Sequence, residues 1–423
     1  MAIASDGTMH MLLHDRPKDG KPAIFHRTST DNGATWTTPQ RVGARDHSAG
    51  MPRLAIDGQG RIYAVWKDMT ENGGDWMTAY DHDSLRGGSY ARLLVGAVYA
   101  NGAWSEPFPI SEAPRAQSWF PSVDPAGKLH VVWTEQIKAP SGYQTQEPAM
   151  VMQATLSGAV VEGRQALYTA KPDEPATYDG SVWHYERLDG IRGYVDAAGT
   201  AHWVTTRTPS QGEGGDPTVV RWDGTRHVPL FKRDAYGVGN TYHNPPELVI
   251  DAAGKEHVIV EDLVGARQGV LDFTVGNPTP VPIRQVAEAS GKLQTFQLAR
   301  GPNGQLAAMM AMEDRADAHT EFELYVSRYE NGQWTPGVNI TQNAQRGIYK
   351  EFGDRANGTQ VSTVFEPLFA SGAFDAQGKL NVAMVNMELI YTNFASTGTV
   401  SGTATTVNQG AAAGIPRAYF VRL

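Results

Sequence analysis

Titratable and aromatic residues gather where apolar strand patterns begin or end. Segments leading into one recurring class of strand carry His47, Ser118, Trp119, His184, Tyr185, Arg192, Tyr242, His243, Glu247 and Glu366. Segments leaving the strand that follows carry Arg16, Asp19, Lys67, Asp68, Glu135, Arg207, Glu261, Asp262, Glu313 and Arg315. These residue types support three kinds of chemistry. Two carboxyl groups can hydrolyse a glycosidic bond, standing about 5 Å apart for retention or about 6.5–9.5 Å apart for inversion. Asp68, Glu135, Glu261, Asp262, Glu313 and Glu366 are the stock for such a pair. A histidine or tyrosine beside an arginine can instead remove the C5 proton of a uronate whose carboxylate is neutralised. His243 with Tyr242, or His184 with Tyr185, would be the base there, and Arg192, Arg207 or Arg267 the neutraliser. A non-catalytic glycan-binding protein would expose Trp76, Trp119 and Trp183 as sugar platforms and leave its acids paired.

Histidines 130, 202 and 257 recur at one place relative to a turn, which reads as a structural position rather than a metal site. No H-E-x-x-H or comparable spacing occurs. The predicted site needs no organic cofactor and no catalytic metal. A structural Ca²⁺ or Na⁺ in a channel or an Asp-rich loop is left open, with no specific loop pattern to mark it.

The element that positions these residues is a repeat. Asp124-Pro125-Ala126-Gly127-Lys128-Leu129-His130 has counterparts beginning at Asp57, Asp196, Asp251 and Asp375, with degenerate copies at Ser5-Asp6-Gly7 and Pro302-Asn303-Gly304. Each joins two apolar strands through a tight turn, with glycine supplying positive φ and aspartate bonding the local backbone. Strand repeats of this length predict a propeller. The seven copies predict an all-β, seven-bladed β-propeller forming a single domain over 1–423. The blades run approximately over 1–45, 46–112, 113–178, 179–238, 239–289, 290–345 and 346–423. In a four-stranded blade, the entry to the innermost strand and the exit of the second share one face. The Asp-x-x-Gly turns occupy the other. Blade 7 is expected to start near Pro367, to contain a loop from Tyr391 to Ile415, and to end on its third strand.

Composition narrows the partners. The chain has 423 residues, a formal net charge of -9, 45 glycines, 25 prolines and no cysteine. Disulfides and thiolate metal sites are excluded. The acidic balance argues against nucleic acid and membrane surfaces, and no run of 18 apolar residues occurs. The expected partner is an oligo- or polysaccharide, met by a monomer that is secreted or periplasmic once a leader has been removed, with a cytoplasmic location as the alternative.

Ser29-Thr30-Asp31-Asn32-Gly33-Ala34-Thr35-Trp36 fits Ser-x-Asp-x-Gly-x-x-Trp. On this segment, and on its worn versions at Asn101–Trp104 and Glu330–Trp334, the chain resembles the sialidase superfamily of Asp-box (BNR-repeat) propellers. The opening hairpin, Thr8 to Arg16 followed by Asp19, is similar to a sialidase opening. That resemblance implies Asp19 as acid/base, Tyr349 as nucleophile with Glu366 as its base, and Arg315 as a carboxylate clamp. The Phe/Tyr-Arg-Ile-Pro motif is absent, and Glu247 with Arg267 is a loose match to the middle Glu–Arg pair. Tyr242-His243-Asn244-Pro245-Pro246 resembles the entry segment of BNR-type propeller lyases, with Glu261-Asp262 where those have a second histidine. The leading expectation is a glycoside hydrolase acting on a polar or anionic glycan. A uronate-specific lyase and a binding propeller follow.

Overall fold

The computed structural model describes residues 1–15, 23–43, 49–68, 93–112, 116–135, 149–170, 186–209, 216–232, 245–262, 267–277, 279–287, 293–301, 303–313, 322–341, 359–394 and 413–423. Their regular structure is all β-strand, in seven antiparallel sheets that form the blades of a β-propeller. Blade 1 is β1 (Ala2–Ile3), β2 (Met9–Asp15), β3 (Ala23–Ser29) and β4 (Gln40–Val42). Blade 2 is β5 (Ala49–Ile56), β6 (Ile62–Asp68) and β7 (Leu93–Ala100), with β8 (Ala103–Trp104) and β9 (Phe108–Pro109) both paired to β7. Blade 3 is β10 (Ala116–Val123), β11 (Leu129–Glu135), β12 (Met150–Ser157) and β13 (Val160–Thr169). Blade 4 is β14 (Arg187–Val195), β15 (Ala201–Thr208), β16 (Thr218–Trp222) and β17 (His227–Lys232). Blade 5 is β18 (Glu247–Ile250), β19 (Glu256–Asp262), β20 (Arg267–Thr274) and β21 (Val281–Ala287). Blade 6 is β22 (Leu293–Arg300), β23 (Leu306–Glu313) and β24 (Phe322–Glu330), with β25 (Gln333–Trp334) and β26 (Val338–Asn339) on β24. Blade 7 has three strands, β27 (Thr359–Phe374), β28 (Leu380–Phe394) and β29 (Ala413–Arg422). By contact the chain divides into two compact units: Met1–Val264 with Leu271–Val281, and Gly265–Val270 with Pro282–Leu423.

The seven inner turns share one geometry. Gly7, Gly60, Gly127, Gly199, Gly254, Gly304 and Gly378 all have φ between 74° and 85°. One oxygen of the turn aspartate accepts backbone N–H bonds, as Asp57 does from Gln59 and Arg61 at 3.0 and 2.9 Å. The other oxygen holds a side chain of the second strand. It accepts from Tyr63 at 3.1 Å, His130 at 3.0 Å, His202 at 2.9 Å and His257 at 3.4 Å. The recurring histidines are therefore staples of the inner hairpins. Among the described residues no group of three or more metal-capable side chains occurs. Blade 6 replaces the aspartate with Gly301, and Gln305 fills in: its Oε1 accepts the N–H of Asn303 at 3.0 Å. A Cβ on Gly301 would stand 2.3 Å from that oxygen, so the two substitutions depend on each other.

The outer turns repeat too. Asn32, Asn101 and Asn331 take φ of 52–56°, each followed by a positive-φ glycine. This is the left-handed pair that matches hairpin twist. A hydroxyl just after the tryptophan then closes the hairpin: Thr37, Ser105 and Thr335 accept from Thr28, Val98 and Arg328 at 2.9, 3.0 and 2.9 Å. In the first of these turns Asp31 accepts from Ser29 and from Thr35, and Trp36 donates to the Gly33 carbonyl at 3.1 Å.

Apolar layers lie between consecutive blades. Tyr63, Leu94 and Ile110 of blade 2 meet Trp119, Val131 and Trp133 of blade 3. Val132 and Phe120 pack with Leu188, Ile191 and Trp203 of blade 4. In the second unit Met309 and Leu324 pack with Phe374 and Val382. Blade 7 differs from expectation in extent. β27 begins at Thr359 rather than near Pro367, β28 runs to Phe394, and β29 begins at Ala413. Thr359, Val361, Thr363, Val364, Ile390, Tyr391 and Thr392 are β-branched or aromatic, and paired strands override the loop reading of this stretch.

Candidate functional site

The innermost strands are not regular at their entry ends. Register shifts fall between Gly50 and Arg53, Ala116 and Trp119, Asp189 and Arg192, Leu293 and Thr295, and Pro367 and Phe369. Bulges re-aim side chains where a strand meets a site. Beyond them, Arg53, Arg192 and Glu247 occupy one repeat position, paired to Val65, Val204 and Ile259.

These residues form a cluster in the first unit. Arg192 is buried, and its Nη1 donates to the Ile191 carbonyl at 2.8 Å, Ser118 Oγ at 3.1 Å and the Trp119 carbonyl at 3.4 Å. Ser118 Oγ also accepts the Ile191 N–H at 3.0 Å, which ties the bulges of blades 3 and 4 together. Arg192 Nε lies 3.3 Å from Glu247 Oε1. Glu247 keeps 26% of its side-chain surface open, yet desolvation in this deep setting raises its carboxyl above the usual range. Arg192 and Arg53 pull it the other way. Trp119 carries two cations over its ring, Lys67 Nζ at 4.9 Å and Arg53 Cζ at 5.9 Å from the centroid. Expected as an exposed platform, Trp119 is buried, at 1% exposure. The chain needs an apolar wall between blades 2 and 3, and the indole fills it.

The other predicted residues of this unit are distributed around the same entry ends. Glu135 closes β11 and accepts the Trp133 indole N–H at 2.7 Å. Asp68 closes β6 beside Trp66 and lines a cavity with it. Arg207 donates from Nε to Glu186, which also accepts the Tyr168 hydroxyl. The guanidinium offered by sequence as a uronate neutraliser thus serves a buried carboxylate between blades 3 and 4. Glu261 and Asp262 end β19 and are buried. Arg267 and Glu366 belong instead to the second unit, on β20 and β27. Arg16, Asp19, His47, His184, Tyr185, Tyr242, His243, Arg315 and Tyr349 lie outside the described residues, as do Trp76 and Trp183. Arg53 and Glu186 were not among the sequence candidates. Arg53 had a usable signal, since it precedes Asp57 by the same interval that separates Arg192 from Asp196 and Glu247 from Asp251.

No protein family matches the chain, and no curated protein matches it. Solved structures similar to it include a Hadza microbial sialidase at 12% identity and TM-score 0.43, over 73% of this chain and 61% of that one. The chain thus spans less than two thirds of that sialidase. A polysaccharide lyase described as an ulvan lyase, bound to a glucuronate–sulfated rhamnose unit, aligns at 12% identity and TM-score 0.43, over 76% of this chain and 77% of that one. Trypanosoma rangeli sialidase, in complex with an inhibitor, aligns at 10% identity and TM-score 0.38, over 100% of this chain and 82% of that one.

Proposed function

We propose that this propeller is a carbohydrate-active enzyme, a glycoside hydrolase that cuts an anionic glycan at the strand-entry end of blades 2 to 5. The observation that carries the reading is Glu247. A carboxyl group that holds its proton above the usual range, partly open to solvent and beside fixed cations, suits a general acid. Glu247 pairs with Ile259, so Glu261 falls on the same sheet face one diagonal step away. Sheet geometry puts the two backbone positions about 7–8 Å apart, from which two glutamate side chains on one face can reach the carboxyl separation of about 6.5–9.5 Å that admits a water molecule for inversion. In this reading Glu247 protonates the glycosidic oxygen as its bond to the anomeric carbon breaks. Water attacks that carbon from the opposite side and gives its proton to Glu261. One water is consumed and two hydroxyl-ended sugars leave.

Arg53 and Lys67 would offset the negative groups of the substrate. Arg192, whose Nη1 is held by three protein oxygens, tunes Glu247 rather than gripping the sugar. The turn at 29–36 is read here as an Asp box, in keeping with a sialidase-type propeller. Asp19, Tyr349, Glu366 and Arg315 belong to the different, covalent route that the sialidase resemblance implies, which would replace the Glu247–Glu261 pair rather than act beside it, and His47, His184, Tyr185, Tyr242 and His243 stay candidate substrate contacts. The test is product analysis on neutral, uronic and sulfated glycans with the intact chain and with Glu247→Gln. The reading requires new reducing ends from an anionic glycan, no unsaturated ultraviolet-absorbing product, and loss of activity in the variant. Unsaturated products would turn the assignment to β-elimination with His243 or Tyr185 as base.

A further inference from the structure

Asn-Gly occurs four times among the described residues, at Asn32-Gly33, Asn101-Gly102, Asn303-Gly304 and Asn331-Gly332. The pair is labile in water, because a glycine amide has no side chain to shield it from the carboxamide that precedes it. Three of the four sit in outer turns, with the asparagine at φ 52–56°. That left-handed conformation keeps the next nitrogen away from the asparagine Cγ. Reaction therefore waits for the turn to open, and the population of the open form sets the rate.

The four turns are not equally easy to open. At Asn32 the Gly33 N–H donates to Ser29 Oγ at 2.9 Å, and Ser29 donates to Asp31 at 2.7 Å. Asp31 also accepts the Thr35 N–H at 2.8 Å, and the Trp36 indole holds the Gly33 carbonyl at 3.1 Å. At Asn303 the Gly304 N–H donates to the Gly301 carbonyl at 3.1 Å, and the Asn303 N–H to Gln305 at 3.0 Å. The turns at Asn101 and Asn331 are bare by comparison. Each is a loop of two exposed residues, closed by Ala100 with Ala103 or by Glu330 with Gln333. The strands that follow, β8 and β25, are two residues long. Among the described residues nothing accepts the Gly102 or Gly332 N–H, and nothing stands within 4 Å of where a Cβ on either would be.

We propose that Asn101 and Asn331 are sites of self-modification, converting through a cyclic imide to aspartate and isoaspartate, while Asn32 and Asn303 are held intact. The Gly102 or Gly332 nitrogen gives its proton to solvent and attacks the asparagine Cγ. A new C–N bond closes the ring. The bond to the side-chain nitrogen breaks, and that nitrogen takes a proton from solvent and leaves as ammonia. Water then adds to one of the two ring carbonyls and breaks one ring C–N bond. One water is consumed and one ammonia released, with no oxidant or reductant. Each event adds a negative charge to a chain already at a formal net charge of -9, and isoaspartate lengthens the turn backbone by a methylene. Within a blade the outer turn lies at the end opposite the strand entry, so the inference is independent of the glycan reading.

The test is incubation of the intact folded chain at mildly alkaline pH, followed by peptide mapping with mass spectrometry. Isoaspartate is counted with an isoaspartyl carboxyl methyltransferase. The map is read site by site, because Asn72-Gly73 and Asn357-Gly358 lie outside the described residues. Asn101 and Asn331 should convert, faster as pH rises because the attacking nitrogen must lose its proton. Asn32 and Asn303 should lag by about tenfold or more, the effect of the extra bonds that must break before their turns open. In urea the four rates should converge. Ser29→Ala combined with Asp31→Ala dismantles the hold on Gly33 and should bring Asn32 towards the rate of Asn101 in folded protein. Asn32 or Asn303 converting as fast as Asn101 and Asn331 in the folded parent would overturn the proposal. So would Asn101 and Asn331 that stay intact in the folded chain yet convert in urea, or an Asn32 rate unchanged in the folded double variant.

Discussion

Replacing Arg192 with methionine would expose how the central cluster is held. The side chain keeps its volume and loses the guanidinium. Ser118 Oγ and the carbonyls of Ile191 and Trp119 lose their Nη1 donor, and Glu247 loses a cation 3.3 Å away. Removing one partner of a buried pair costs about 3–5 kcal/mol. The 3.4 Å bond is weak, and Glu247 is partly open and can take up a proton, so the expected cost at neutral pH is about 3 kcal/mol. Its pH dependence has a definite sign. Burial raises the Glu247 carboxyl in the folded protein, so its favourable contribution is complete below the unfolded pKa and is lost as pH rises through the folded one. Without Arg192 that folded value rises further, and the destabilisation should be larger on the alkaline side than near pH 4.5, the ordinary value for this group. Urea unfolding of the parent, Arg192→Met, Glu247→Gln and the double variant at two pH values gives the cycle. A coupling of about 1–3 kcal/mol, larger at the higher pH, is expected. Additive single effects that ignore pH would refute the argument.

Other substitutions probe the frame. His10 and His26 stack in blade 1 with ring nitrogens 3.0 Å apart, against Tyr99 and Trp104, and burial lowers both, His26 to about 4. Their contribution is complete above the unfolded pKa of 6.5 and is lost as pH falls from there towards 4, by about 3 kcal/mol for His26; His26→Phe should flatten the Tm profile in that window. Gly58→Ala would set a Cβ 2.5 Å from Gly127 Cα, across a turn-to-turn bond of 2.8 Å, and should cost about 2–4 kcal/mol in denaturant unfolding. Gly254→Ala meets open space and only the strain of φ 79°, so about 1 kcal/mol is expected from the same assay. Gln305→Ala should cost about 1 kcal/mol by removing the acceptor that replaces an aspartate in blade 6.

Much of this fold is written in its turns. Asp-x-x-Gly recurs because a positive-φ glycine and an accepting carboxylate are local requirements, and local requirements leave a sequence signature. Even the worn copy at Gly301 keeps its chemistry, moved to Gln305. The length of the blade 7 strands was less legible, because low-complexity sequence hides pairing that long-range register supplies. The candidate face followed from topology, which brought Lys67, Ser118 and Glu247 into view as strand-end residues. Arg53 escaped because Met51-Pro52-Arg53 reads as ordinary strand, and no local pattern announces the bulge. Trp119 misled for a related reason. An aromatic residue at a strand entry looks like a platform until the neighbouring blade covers it.

The most direct test of the hydrolase assignment is a time course of glycan cleavage by the parent chain and Glu247→Gln, with folding of both verified. The account predicts that reducing ends accumulate from an anionic polysaccharide without unsaturated product. The variant, still folded, should lose roughly 100-fold or more of the rate, as expected when a general acid is removed. Equal rates in the two proteins, or no cleavage of any anionic glycan by the parent, would contradict it.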